Sequence, residues 1–401
     1  MAINIKNLQE RVQKKVASIS PSTPSADLNR IVEASTLALG SVRQFDSAGA
    51  LPSVVATQAQ IAYSKKDNAI YHKSDGTTTW KTLTTNAYVA GPSAPAPTSQ
   101  PYQGDTYGFY SGGVNPGDAP NPGSGGPTAA YNLIDRYAFA SATNATDYGD
   151  LTDYRQEVTG QSSSTHGYTS GGAGGSGAPQ TSNVIDKFPF TAAGNATDVG
   201  DTTVARYGVS GSQSSTHGYT HGGSTAPGTA QNVVDKFSFG SDGNATDVGD
   251  LTLARTRLSG CSSNDHGYAA GGTPATGKRI DKYAFASDGN ATDVGDTLAE
   301  FEYLGDCPSS PTHGYVVGGF NTMEKFSFSV DGNSTDVGDL LVSVTRGYAG
   351  ANSEPHGFIA GGYNPTGYSN VIQKYSHTAD ENSTDVADLN YSSQYGAGQQ
   401  V

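Results

Sequence analysis

Twelve aspartates of this 401-residue chain lie in one recurring segment, Asn-Ala-Thr-Asp-Val-Gly-Asp or a close variant, with copies starting at Asn144, Asn195, Asn244, Asn290, Asn333 and Asn382. Each copy offers two carboxylates and an amide oxygen. Hard oxygen donors in a loop are what Ca²⁺ selects, so Asp198, Asp201, Asp247, Asp250, Asp293 and Asp296 are candidate calcium ligands. The competing reading is that Asn and Asp close a turn through local hydrogen bonds. It is preferred, because the spacing matches no complete calcium loop, and no other cofactor is expected. The segments are also formal Asn-X-Thr glycosylation acceptors. The chain opens MAINIKNLQERVQKK, however, with charges where an export signal needs an apolar run.

Five of the eight histidines (His166, His217, His266, His313 and His356) occupy a single repeated position. Catalysis needs a singular environment, so these are read as architectural, each tying a hydrogen bond to the neighbouring strand. His72, His221 and His377 are scattered. Cys261 and Cys307 stand at similar positions of successive repeats and are read as two buried thiols. No nucleophile–base pair or phosphate-cradling loop emerges, and no enzyme is expected.

The elements that carry these residues follow from the repeat. THGYTSGG at 165–172 recurs from Thr216, Asp265, Thr312 and Pro355, with a worn first copy from Thr106. Each is followed by a segment such as VIDKFPF and then by the acidic motif. The first alternates and ends in a glycine pair, as a strand leaving a sheet does. The second alternates in period two, with Val184, Asp186, Phe188 and Phe190 on one face. A small-residue segment such as RYGVSGSQSS supplies a fourth strand. Four strands per unit in six units make a six-bladed β-propeller over 105–401, in an all-β fold. The C-terminal SQYGAGQQ matches the strand that the first unit lacks, so Gln394–Gln399 should pair into blade 1 and close the ring. The glycine pairs, the strand aromatics and the arginines ahead of the small-residue strand (Arg155, Arg206, Arg255 and Arg346) resemble kelch repeats, although the usual blade Trp is missing from every unit.

Composition agrees with a β protein: 52 Gly and 23 Tyr, only 15 % charged residues, and no apolar run long enough to span a membrane. Residues 1–100 hold ten basic and six acidic side chains, a balance of +4. The remaining 13 basic and 31 acidic groups leave −18 on 101–401, which excludes nucleic-acid binding by the propeller.

Two amphipathic helices are expected in a docking arm at 1–44. Ile5, Leu8, Val12 and Val16 form one apolar stripe, and Leu28, Ile31 and Val32 begin the other. QIAYS, AIYHK and TTTWKTL then read as a small β-meander module at 45–90, with a Pro/Gly-rich linker at 91–104. This meander, preceded by DLNRIVEASTLALGSV, resembles modules in structural proteins of tailed bacteriophages, especially marine ones. The resemblance implies a virion component, a tail or head appendage or fibre, assembled in the host cytoplasm and present in several copies. Its arm would dock on other virion proteins. The propeller would meet a host-surface glycan or protein through loops that run from 22 residues (Gly113 to Asp135) down to 5 (Gly319 to Glu324). The alternatives are a cellular kelch-type interaction scaffold and an enzyme acting on polysaccharide.

Overall fold

The computed structural model describes residues 104–401 except 116–129, 175–179, 275–277, 299, 301–304 and 319, and the backbone of four strands between 43 and 82. The chain divides into two units, 1–96 and 97–401.

In the first unit, Gln60–Ser64 and Ala69–Lys73 pair antiparallel, as do Ala69–Lys73 and Lys81–Thr82. These match the expected meander. A further strand, Arg43–Phe45, pairs in parallel with Gln60–Ser64, so the sheet reaches back across the boundary expected at 44. The docking residues Ile5, Leu8, Val12, Val16, Leu28, Ile31 and Val32 lie outside the described residues, as do both expected helices.

The second unit is a six-bladed propeller. From the axis outward, blade 2 is Thr159–Ser162, His166–Ser170, Val184–Pro189 and Thr197–Asp201. Blade 3 is Ser210–Gln213, His217–His221, Val233–Ser238 and Thr246–Asp250. Blade 4 is Ser259–Ser262, His266–Ala270, Arg279–Ala284 and Thr292–Asp296. Blade 6 is Ala349–Asn352, His356–Ala360, Val371–Ser376 and Thr384–Asp388. Blade 5 has three strands, His313–Gly318, Phe320–Ser327 and Thr335–Val344; its innermost segment keeps one bridge, Ser309 to Gly314.

Blade 1 is closed as expected. Gln394–Gln400 pairs antiparallel with Tyr107–Val114, which continues into Leu133–Ala138 and Thr146–Asp150. First and last segments of the ring thus share one sheet.

Alternation holds along the third strand, and both faces of a blade are buried. Opposite Ile185 and Asp186 the outermost strand carries one extra residue, Val199, and the same bulge recurs in the other blades. Ile185 packs with Phe237 and Ala245 of blade 3 on one face, while Asp186 meets Arg155 on the other.

Stacked aromatics join successive blades. Phe109–Phe190, Tyr168–Phe239, Tyr219–Phe285, Tyr268–Phe328, Tyr315–His377 and Phe358–Phe139 bridge successive blades at 4.5–5.0 Å between centroids. His377 is therefore the sixth member of this ring rather than a scattered residue. Burial pushes its pKa down to about 4, which keeps the ring neutral and able to stack.

Candidate functional site

The repeated polar residues mostly hold the frame together. The motif Asn accepts a hydrogen bond from the outermost strand of the preceding blade, in a closed circuit. Asp150, Asp201, Asp250, Asp296, Asp339 and Asp388 donate their backbone N–H to Asn195, Asn244, Asn290, Asn333, Asn382 and Asn144 at 3.0–3.2 Å. The first motif aspartate accepts from its own turn: Asp198 from Gly200, Asp247 from Gly249 and Asp293 from Gly295. Asp201, Asp250 and Asp296 begin the connections to the next blades. Among the described residues, no three His, Cys, Asp or Glu side chains are grouped to hold a metal.

The repeated histidines bond differently from expectation. Nδ1 of His166, His217 and His313 pairs with the hydroxyl of the preceding Thr at 2.8 Å, within the same turn and not on the neighbouring strand. Each of these histidines opens its strand, directly after the threonine that it bonds. His266 and His356 follow Asp265 and Pro355, which offer no such hydroxyl. Burial, helped by the lysine across the sheet, lowers the pKa of all five.

Buried ion pairs lock three blades. Arg155, Arg206 and Arg255 meet Asp186, Asp235 and Asp281, with every one of these side chains at most 1 % exposed. Arg255 also donates to the carbonyls of Gly271 and Arg279, while Thr252 donates twice to Asp281. Blade 6 has Thr345 in the arginine's place. Arg346 falls one residue later than the repeat arginine, and its guanidinium lies 4.6 Å over the Tyr363 ring.

At the axis the innermost strands approach too closely for side chains. A methyl group on Gly160, Gly260 or Gly398 would stand 2.0–2.2 Å from the carbonyl oxygen of the adjacent innermost strand. Five blades place Gly at this point: Gly160, Gly211, Gly260, Gly350 and Gly398. Blade 5 places Asp306. Its buried carboxylate accepts from Thr159 Oγ1 at 2.6 Å and from the N–H groups of Gly160 and Gly398 at 3.1 and 2.9 Å. Burial outweighs these donors and raises its pKa to about 6. Cys261 and Cys307 are free, buried thiols beside it. The space among these innermost strands is about 40 Å³, room for water but not for a sugar or peptide.

Two circuits of hydrogen bonds cap this space. On one side, backbone N–H groups of Gln400, Ser162, Gln213 and Ser309 donate to the side chains of Ser162, Gln213, Ser262 and Asn352. On the other, Tyr395 N–H donates to Gly347 O, Glu157 to Tyr395, Gly208 to Glu157 and Arg257 to Gly208. Only left-handed backbone lets each residue face both neighbours: φ is +61° and +68° at Gly208 and Gly347, and 53°, 56° and 62° at Glu157, Arg257 and Tyr395.

This second cap is the candidate site. It lies on the face where the Gly-Gly loops emerge, since Gly172, Gly223 and Gly362 pack against the Gln156, Tyr207 and Arg346 carbonyls. The Glu157 carboxylate holds Arg257 in a two-point bridge at 2.9 and 3.1 Å, passing over Gly208. Burial raises the Glu157 pKa, against the opposing pull of Arg257. Burial carries the Tyr395 pKa up to about 12, with the Glu157 charge adding to the rise and those of Arg257 and Arg346 opposing it. Arg257 also lies 5.6 Å over the Tyr207 ring.

No protein-family model matches the chain, and no curated protein matches it. The site therefore rests on its own geometry.

The sequence reading missed Glu157, Arg257, Tyr395 and Asp306. The signal was present where repeat columns break: Glu, Arg and Tyr stand where sister blades hold Gly208 and Gly347, and Asp stands where five blades hold Gly.

Proposed function

We propose that the chain is a structural component of a tailed-phage particle, one that displays a kelch-like propeller for binding and carries out no chemistry itself. The observation that carries the binding role is the contrast between a ring of six blades built on one repeated pattern and a loop face of unequal loops with a non-repeating cluster at its centre. Regular strands with irregular loops on one side make a rigid platform for recognition.

The particle role is supported by the separate four-stranded sheet between 43 and 82, whose sequence resembles phage modules, and by the +4 balance of the first hundred residues against −18 beyond. In this reading residues 1–44 dock on other virion proteins, several copies assemble on the particle, and the propeller meets a host-surface glycan or protein. A second reading, a cellular kelch-type scaffold, draws on the buried Arg–Asp pairs and the Gly-Gly strand ends.

A mass-spectrometric inventory of purified particles separates the two. Stoichiometric presence of this chain supports the particle role, and its absence from particles made in cells that express it removes that role.

A further inference from the structure

The loop-face cap carries side chains that the fold does not need. Two blades close the cap with Gly208 and Gly347, and a non-glycine residue in left-handed backbone is sterically unfavourable. Glu157, Arg257 and Tyr395 nevertheless occupy three of the five described positions: the Glu157 and Arg257 side chains bridge over Gly208, and the Tyr395 ring lies over Gly347, the residue after Arg346. Strained, non-repeating residues in an otherwise periodic frame mark a functional constraint.

The cluster joins two guanidinium groups and one carboxylate, a local balance of +1, within a propeller segment at −18. Tyr207, Tyr363 and Tyr395 surround them, all half-buried. Guanidinium groups offer a fork that fits a carboxylate. Tyrosine faces offer flat apolar area edged by a hydroxyl. The Glu157 oxygens accept from hydroxyl groups and repel a ligand carrying many negative charges, as does the acidic propeller around them. The space beneath is only about 10 Å³, so a ligand must lie across the cap.

We infer that this axial cap is a shallow binding site for a sugar bearing a single carboxylate, such as a uronic acid residue at the end or edge of a surface polysaccharide. The inference rests on the display role proposed above and gives it a ligand class. Shallow seating implies weak binding per copy, with a dissociation constant on the order of 1 mM, and useful strength from many copies.

The test is ligand-observed NMR titration of the full chain with glucuronate, its neutral counterpart glucuronamide, and a short oligoglutamate peptide. Glucuronate should bind, and both others should bind at least roughly tenfold more weakly, the loss expected for a missing charged hydrogen bond or an added repulsion. Arg346→Gln should lower glucuronate affinity by a similar factor. Tyr395→Gly should also weaken it while keeping the melting temperature, since sister blades hold Gly at this point. Equal binding of glucuronamide, tighter binding of the peptide, no binding of glucuronate, or full affinity in Arg346→Gln would each overturn the inference. Should Tyr395→Gly unfold, Arg346→Gln decides alone. Failure here removes the ligand class only; the particle inventory speaks to the display role.

Discussion

The rim and the axis of this propeller solve the same problem in opposite ways. At the rim, six copies of one device hold neighbouring blades: the motif Asn on the preceding strand, an aromatic stack, and in four places a lysine–aspartate pair (Lys187–Asp242, Lys236–Asp288, Lys282–Asp331 and Lys325–Asp380). At the axis, five blades keep glycine and the sixth inserts Asp306, while the cap above mixes Gly, Glu, Arg and Tyr. Repetition distributes stability over many small equal terms. Departures from it concentrate charge and strain where the chain can do something beyond folding.

The largest expected effect comes from the internal cations between rim and axis. Arg255→Met leaves Asp281 buried without its partner and should destabilise the propeller by about 3–5 kcal/mol in denaturant unfolding. Replacing both members by apolar residues should recover most of that. A single-site loss below about 1 kcal/mol would mean that water reaches this pair.

Asp306 should respond to pH with a definite sign. Its pKa rises from 3.8 to about 6 on folding, so the folded state holds the proton more tightly. The stabilising contribution is full below 3.8 and is lost as pH rises through about 6. Asp306→Asn keeps three hydrogen bonds if its amide donates to Thr159, and removes the buried charge. At about pH 8 the variant should be the more stable by about 3 kcal/mol, a difference that closes on acidification. A constant difference between the two proteins across that range would show that Asp306 does not titrate there.

The rim devices should each matter little. Asn244→Ala removes one of six equivalent hydrogen bonds and should cost about 0.5–1.5 kcal/mol. Lys236→Met should shift stability by less than about 1 kcal/mol, because Asp288 is 56 % exposed. A rim variant that unfolds the ring would end the distinction between distributed and concentrated terms.

The frame was legible because the repeat is its own evidence. Blade number, strand order and closure by Gln394–Gln400 all follow from ordered copies of three short segments. The meander strands Gln60–Ser64 and Ala69–Lys73 also stand where alternation put them. What alternation could not show was what each face meets: period-two reading places Asp186 on one face with no knowledge of its partner Arg155. His377 looked isolated because its stacking partner, Tyr315, is 62 residues away in another blade. The three-residue strand Arg43–Phe45 is too short to show alternation of its own and follows directly on the apolar stripe read as a helix. The site itself was hidden by attention to recurring residues, when the informative columns were those that fail to recur.

The distinction between frame and site is tested most directly by adsorption. The full chain, Arg346→Gln and Lys236→Met are each labelled and bound to glucuronate-bearing beads, with folding checked by melting temperature. The Lys236→Met chain should adsorb like the wild type, and Arg346→Gln should lose most of its binding while melting unchanged. Equal adsorption by all three folded chains would contradict a binding site at the axial cap.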